Sequence, residues 1–275
     1  MRVFLKLSYN GTPFHGWQVQ PNAVSVQGVL EDAISKIARQ PIAITGAGRT
    51  DTGVNARTMV AHCDLPDTLL SKPQPLADNL CSKDEQQIDT DEVVNAECVE
   101  IDENLKAKFI RGVNSIVGRD IVLYDLWQVA PTAHARFDAT ARTYHYYVHH
   151  RRDPFLNFSL EIAPLDYEAM NRAASMLLNV SDFTSFAKLH SDAKSNICKV
   201  TQAEWVELGD DRYVFIISAD RFLRNMVRAV VGTLIEVGRH KLTLEQFEAV
   251  IERRDRCAVG TSMPPHPLFL WDVTY

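Results

Sequence analysis

With 275 residues, 46% of them hydrophobic and 23% charged, the chain is long enough for one large domain or two of ordinary size. It lacks the run of ~20 apolar residues that a transmembrane helix needs, and its charged N-terminus is not typical of a signal peptide. Five widely spaced cysteines without a Cys-x-x-Cys pair argue against a disulfide framework or a structural zinc site, and they favour a reducing cytoplasm.

The net charge of −6 at first disfavours a nucleic-acid partner, but the charge is unevenly distributed. Nine acidic residues and a single lysine lie between Ser82 and Asn104. Because this segment is more acidic than the whole chain, the remainder is slightly basic. An RNA partner is therefore possible if the arginines cluster on one face.

Hydrophobic periodicity predicts an α+β protein in which strands and helices alternate. In chain order, the predicted elements are a strand at 3–9, a helix at 26–39, strands at 41–45 and 59–63, a helix at 109–117, strands at 120–127 and 143–148, a helix at 166–177, strands near Trp205 and at 213–219, helices at 221–237 and after Thr243, and a strand at 268–275.

Three of these helices begin with capping signals. Ser25 and Asp166 are candidate N-caps, and the sequence TLEQ that starts at Thr243 is a capping box. In the loop after the first strand, Phe14 and Trp17 are favoured as core residues over ligand contacts, and Gln18 is the neighbouring candidate for a ligand contact.

Residues 65–104 lack sustained periodicity, contain prolines and then become acidic. This pattern predicts a surface excursion with one short helix around 75–80. A solvated charged face explains the segment better than a partner-binding role does.

Three arginines recur in the predicted helix at 221–237. Arg221, Arg224 and Arg228 have i, i+3 and i+7 spacing, which predicts one shared helix face. Solvent exposure is the usual reason for such a row. Phosphate contact is the functional alternative, because the guanidinium fork matches phosphate geometry.

The loop at 46–54 (GAGRTDTGV) carries opposite charges on Arg49 and Asp51 directly after a predicted strand. The pair could be a local ion pair, or Asp51 could be a nucleophile beside a phosphate-binding arginine. A dinucleotide fingerprint or P-loop does not fit, since Asp51 stands where a small residue is needed and no Gly-Lys-Ser/Thr follows. No metalloprotease or serine-hydrolase motif is present elsewhere.

Arginines, a tyrosine-rich strand and a carboxylate together suggest chemistry on a nucleotide within RNA. From the residues alone, this hypothesis is only slightly favoured over the alternative that these residues have a purely structural role.

Five segments resemble the motifs of the tRNA pseudouridine synthase A family, in the family's order and over nearly the whole chain. They are YNGTPFHGWQVQ at 9–20, SVQGVLE at 25–31, GRTDTGV at 48–54, HARF to Tyr146 at 134–146, and FLRNMVR with the glycines that follow at 222–238.

The resemblance implies two ferredoxin-like or RRM-like halves that form one extended, mostly antiparallel sheet with a central cleft. The halves would be 1–131, which contains the acidic insertion at about 65–104, and 132–275. The family acts as a homodimer, without cofactor or metal, on uridines 38, 39 and 40 in the anticodon stem-loop of tRNA.

By the same resemblance, Asp51 would be the nucleophile, at either ribose C1′ or uracil C6. Tyr144 would stack on the target base and assist removal of the C5 proton, and Arg228 would be the ion-pair partner of Asp51. The implied RNA contacts are Arg49, Gln18, Arg136, Arg142, Arg221 and Arg224.

The chain departs from the family pattern at Thr52, at Asn55, where the family has histidine, and in the loop at 261–267. Asn55 is expected to alter an RNA contact or the loop. The rival hypothesis is a tRNA-binding protein or RNA chaperone without chemistry, for which Asp51 would be dispensable.

Overall fold

The computed structural model describes residues 1–72, 100–188, 195–255 and 260–275, and in these ranges nine strands form one mixed sheet accompanied by five α-helices. The predicted α+β class is confirmed. The strands are β1 (Arg2–Tyr9), β2 (Thr45–Gly46), β3 (Asn55–Asp64), β4 (Ile121–Gln128), β5 (Ala141–His149), β6 (Leu160–Glu161), β7 (Val200–Gly209), β8 (Arg212–Ala219) and β9 (Leu268–Thr274). The helices are α1 (Val26–Ala38), α2 (Glu103–Ile116), α3 (Tyr167–Met176), α4 (Met226–Gly238) and α5 (Leu244–Glu252).

The last strand, β9, lies in the middle of the sheet. The strand order is β4-β1-β3-β9-β5-β8-β7, with β2 on β3 and β6 on β5. β9 runs parallel to β3, where Asn55 aligns with Phe269, and antiparallel to β5. The loop that carries Asp51 ends at β3, so this arrangement brings it beside strands from the other end of the chain.

Buried hydrophobic residues form two clusters. One contains β1 and helices α1 and α2, with Leu5, Leu30 and Phe109 among its members. The other contains β5, β8 and helices α3 to α5, with Tyr146 and Phe215 at its centre. Tyr144 packs against both clusters, so it lies where they meet.

The three predicted helix caps are confirmed. The Ser25 hydroxyl accepts a hydrogen bond from the Gly28 N–H, and the Asp166 carboxylate accepts one from the Ala169 N–H. Thr243 forms the complete capping box with Gln246. These signals are reliable because each depends on residues only three positions apart.

The prediction of a helix from Arg221 is wrong, because α4 begins only at Met226. Asn225 has a left-handed backbone with φ +66°, which a right-handed helix cannot contain, so residues 221–225 form a loop. Arg221, Arg224 and Arg228 therefore do not share one helix face.

Other boundaries differ from the predictions as well, and β3 begins at Asn55 rather than at residue 59. The strand predicted at 41–45 is reduced to β2, because the N–H groups of Ile42 and Ile44 donate to side chains of α1 instead of to a strand. Helix α2 begins at Glu103, six residues earlier than predicted, and Asp102 caps it.

The prediction for residues 65–104 can be followed only at its two ends. Leu65 and Leu70 are buried in the first cluster, so the start of this segment belongs to the core. The proposed helix at 75–80 lies outside the described residues. Within the described ranges, no helix is both long and apolar enough to cross a membrane.

Candidate active site

Hydrogen bonds and close backbone packing fix the loop that carries Asp51 against β1 and the loop after it. The Thr50 carbonyl accepts from the Trp17 N–H at 3.2 Å, and the Thr50 hydroxyl hydrogen-bonds the Tyr9 hydroxyl at 2.8 Å. A Cβ at Gly16 would lie 2.5 Å from the Thr50 carbonyl, and Gly16 has φ +88°. The backbones approach this closely only because Gly16 has no side chain.

Phe14 and Trp17 are buried, as predicted, and Trp17 packs under the strand that leads into the Asp51 loop. Any Cβ at Gly46 would lie 2.6 Å from the Trp17 ring, whereas one at Gly48 would meet nothing within 4 Å. The two glycines therefore differ. Gly46 allows the loop to pack on Trp17, and Gly48 faces open space.

The carboxylate of Asp51 lies between two arginines of the second half of the chain. Asp51 Oδ1 is 3.6 Å from Arg224 Nε, and Oδ2 is 3.8 Å from Arg228 Nη1. These distances are too long for hydrogen bonds, so the attraction is electrostatic. With 27% of its side chain exposed, the carboxylate keeps lone pairs accessible for chemistry.

Arg228 is the better fixed of these two arginines. Its Nε donates to the Met263 carbonyl at 2.5 Å, and the Met263 N–H donates back to the Arg228 carbonyl at 3.2 Å. Its side chain is 20% exposed, against 62% for Arg224. Residue 263 thus orients the Arg228 guanidinium toward Asp51.

Tyr144 extends from β5 toward the same site. Its ring meets Phe222 edge-on, with centroids 4.9 Å apart. Burial raises the pKa of the Tyr144 hydroxyl, and the charge of Asp51 raises it further, while Arg142 opposes the change. Tyr144 is therefore a neutral phenol at physiological pH.

Comparison with known proteins places this site in a family. The profile described as tRNA pseudouridine synthase matches residues 173–275. Proteins named tRNA pseudouridine synthase A from Parabacteroides distasonis and Porphyromonas gingivalis are each 47% identical to the chain, cover all of it, and are themselves covered over 96% and 97% of their lengths. A protein of that name from Bacteroides thetaiotaomicron is 48% identical, with coverage of 100% of the chain and 90% of the relative.

The chain belongs to the tRNA pseudouridine synthase A family. The resemblance seen in the five motifs is thereby confirmed over the full length. The remaining predicted site residues can now be examined as parts of a pseudouridine synthase.

Arg49, Arg136, Arg221 and Gln18 have exposed side chains. Among the described residues, Arg49 forms no ion pair with Asp51, so the two charges that are neighbours in sequence do not pair in the structure. Arg224 lies at Asp51 itself, which gives it a role in the carboxylate's charge environment that the sequence did not indicate.

Arg142 has a different position from the one predicted for a phosphate contact. Its guanidinium donates to four backbone carbonyls, those of Ala47, Arg136, Ala139 and Asp220, over 2.5–3.0 Å. Burial lowers its pKa. This geometry favours a structural role in this pseudouridine synthase.

Asn55 differs from the family pattern, but the sequence did not indicate what its side chain does. Its side chain is fully buried, accepts from the Gly11 N–H at 2.8 Å and donates to the His266 carbonyl at 2.7 Å. Of the two expectations for Asn55, an altered RNA contact or an altered loop, these bonds favour the loop, because no part of Asn55 reaches the surface. The departure from the family's histidine was the only available signal.

Proposed function

We propose that the chain isomerises uridine to pseudouridine in tRNA, with Asp51 as the nucleophile. The observation that carries this proposal is the Asp51 carboxylate, which is partly exposed and flanked by two arginines, in a chain aligned end to end with tRNA pseudouridine synthases A. A carboxylate with accessible oxygens can act as a nucleophile toward an electrophilic carbon, and the two arginines lie on either side of it.

The reaction breaks the bond between ribose C1′ and uracil N1 and forms one between C1′ and C5. C5 loses its proton to solvent and N1 gains one, so the product is an isomer of the substrate. Asp51 attacks either C1′ or uracil C6, and both routes regenerate the carboxylate. Because the detached uracil has to stay beside the sugar, the site must restrain the base throughout.

Tyr144 supplies that restraint by stacking on the uracil. The target base has to leave its helical stack first, at a cost of a few kcal/mol. We assign Tyr144 to stacking on the uracil and orienting it, and we propose that it also assists removal of the C5 proton after the bond to C5 has formed.

The substrate region we propose is the anticodon stem-loop at positions 38, 39 and 40, held in a cleft between two ferredoxin-like halves, 1–131 and 132–275. The position of β9 supports this division, since the sheet joins strands of the two halves at β3 and β9. Asp51 comes from the first half, whereas Arg228 and Tyr144 come from the second.

We also propose that the enzyme is a cytoplasmic homodimer. An apolar groove of about 340 Å³ supports a subunit contact, since its lining includes the exposed rings of Phe155, Phe158 and Trp271. Exposed aromatic patches of this kind often mark protein interfaces. Sedimentation of the wild-type chain tests this, and a mass of one chain at all concentrations would contradict it.

Substituting Asp51 by alanine tests the nucleophile. We expect Asp51→Ala to bind an anticodon stem-loop and to release no tritium from C5-labelled uridine, because the attacking carboxylate is gone. Asp32→Ala is a matched control, since in the part of the chain that the structure describes Asp32 pairs with Lys36 on the surface of α1 and not with the site. It should leave tritium release unchanged.

Tritium release at the wild-type rate by Asp51→Ala would overturn the nucleophile assignment. No release by the wild-type protein, together with tight binding of the stem-loop, would favour the RNA chaperone instead.

A further inference from the structure

One half-buried guanidinium bonds to three surface loops. Arg142 Nη2 donates to the carbonyls of Ala47 and Arg136, and Nη1 donates to those of Ala139 and Asp220. Because one nitrogen serves both Ala47 and Arg136, the Asp51 loop and the turn at 134–139 lie side by side.

Each loop bonded by Arg142 carries an exposed arginine within two residues of the bonded position. Arg49 follows Ala47 by two residues, Arg136 is itself bonded through its carbonyl, and Arg221 follows Asp220 directly. These three exposed arginines lie beside the catalytic loop and outnumber the carboxylates of Asp138 and Asp220 on the same loops, although the net charge of the chain is −6. A surface that exposes these arginines suits a phosphate backbone.

The turn at 134–139 is built to be rigid. The His134 N–H donates to the Asp138 carboxylate at 2.8 Å, and His134 Nδ1 accepts from the Arg136 and Phe137 N–H groups at 3.2 and 3.4 Å. Ala135 is held from both sides, because its N–H donates to His62 and its carbonyl accepts from the hydroxyl of Tyr275.

This rigid turn presents an aromatic ring to solvent. Phe137 is 76% exposed, although its ring stacks on His134 with centroids 4.2 Å apart. The Arg136 guanidinium lies 6.0 Å from the Phe137 centroid. Phe137 is thus a fixed aromatic ring that is exposed to solvent and lies beside a cation. This combination is typical of the surfaces on which proteins stack the bases of single-stranded nucleic acid.

We propose that Phe137 stacks on an unpaired base of the RNA substrate beside the Asp51 loop, while Arg49, Arg136 and Arg221 bind the adjoining phosphates. Arg142 is the positioning residue that sets the three loops relative to one another. This inference rests on the proposed function, since it assigns part of the RNA contact of the same site.

A second copy of the chain fits this surface less well. In a two-fold symmetric contact the same patch meets itself, so Arg49, Arg136 and Arg221 would face their own copies. Like charges brought together in this way are repulsive. RNA, by contrast, offers the opposite charge together with aromatic bases.

Binding of a fluorescent anticodon stem-loop by the full-length protein tests the platform. Phe137→Ala should raise the Kd roughly 5- to 150-fold, which corresponds to the ~1–3 kcal/mol of one base–aromatic stack. Phe137→Trp and Phe137→Tyr should restore binding, and Phe137→Leu should not. Tyr124→Ala is a matched control, because it removes an exposed ring from the edge strand β4, and it should bind like wild type.

A fully paired RNA helix separates stacking from electrostatic attraction. Phe137→Ala should bind this duplex as the wild type does, since the duplex offers no unpaired base. An unchanged Kd for the stem-loop, equal weakening for stem-loop and duplex, equal rescue by leucine, or a changed sedimentation coefficient would each overturn the proposal. Binding does not require turnover, so the platform can be judged even if the wild-type protein releases no tritium.

Discussion

A single buried amide connects three segments around Asp51. Asn55 joins the loop after β1, through Gly11, to the segment before β9, through His266, and it directly follows the catalytic loop in sequence. Its carboxamide has a donor and an acceptor, which match the two backbone groups that it meets. Asn55 therefore fixes the catalytic loop against the C-terminal part of the chain.

Replacing Asn55 tests this connection. Asn55→Ala leaves the buried Gly11 N–H without a partner, which costs about 1–3 kcal/mol, and the partly buried His266 carbonyl loses its donor as well. We expect a lower free energy of unfolding in urea and a lower kcat for tritium release, because the loop loses its support.

Asn171→Ala is the matched control for Asn55. Asn171 makes the same pair of bonds to the backbone of Trp205, at 2.7 and 3.0 Å, far from the Asp51 loop in the fold. The Asn171→Ala variant should lose a similar free energy of unfolding to Asn55→Ala and keep the kcat of the wild-type protein. Equal kcat values for the two variants would contradict a positioning role for Asn55.

At the scale of elements, helix α4 and residues 260–263 act as one unit that orients Arg228. Gly232 lies in the buried face of α4, and a Cβ there would overlap the Thr261 carbonyl. The absence of a side chain lets residues 260–263 lie directly on the helix. Only then can the Met263 carbonyl accept from Arg228 Nε.

Gly232→Ala should therefore disrupt the site from within a helix. We expect residues 260–263 to be displaced, a lower Tm and a lower kcat, because Arg228 loses its acceptor. The new methyl group would clash with the backbone of Thr261. Moving backbone costs more free energy than rotating a flexible side chain away. Tm by thermal melting and kcat by tritium release measure both effects.

Gly112→Ala in α2 is the control for Gly232. A Cβ at Gly112 would meet only the flexible end of Ile37, at 3.2 Å, and alanine favours a helix by about 1 kcal/mol over glycine. This variant should be as stable as wild type or more so. A Gly232→Ala protein with wild-type Tm and kcat would contradict the role of residues 260–263.

At the scale of the whole molecule, the titratable aromatic side chains set a pH range for stability. Burial lowers the pKa of His145 from 6.5 to about 4 and raises the pKa of Tyr147 from 10.0 to about 12. Burial likewise raises the pKa of Tyr9, Tyr146 and Tyr275. The folded chain thus keeps these histidine and tyrosine side chains neutral.

The free energy of unfolding should be greatest between about pH 6.5 and 10. As the pH falls below 6.5, His145 binds a proton in the unfolded chain but stays neutral in the folded chain. The free energy of unfolding therefore decreases toward pH 4. As the pH rises above 10, unfolded tyrosines lose protons that the folded chain retains, so stability decreases again. Urea unfolding across this range measures the profile.

Tyr147→Phe is the control variant for the alkaline limb. It removes one titrating group, so its stability should fall less steeply above pH 10 than that of wild type. A wild-type stability that increases above pH 10 would contradict the assignment.

Much of the local structure follows from the sequence alone. The N-caps at Ser25, Asp166 and Thr243 and the alternating strands are predictable, because each depends on residues a few positions apart. The motif around Asp51 likewise identifies the family and the candidate nucleophile. The predicted start of α4 was wrong, because the apolar periodicity continues through Asn225 whereas the right-handed helical backbone does not.

The family resemblance pointed to Arg228 as the partner of Asp51, and the tertiary structure decided which other groups surround the carboxylate. Arg49 is its neighbour in sequence, yet Arg224 and Arg228 flank the carboxylate, and Arg142 and Asn55 bind backbone groups of distant segments. The insertion of β9 beside β3 creates these contacts. Loop closure costs rise only slowly with the length of intervening chain, so sequence separation says little about which segments meet. The path of the chain through the sheet determines that, and with it the site.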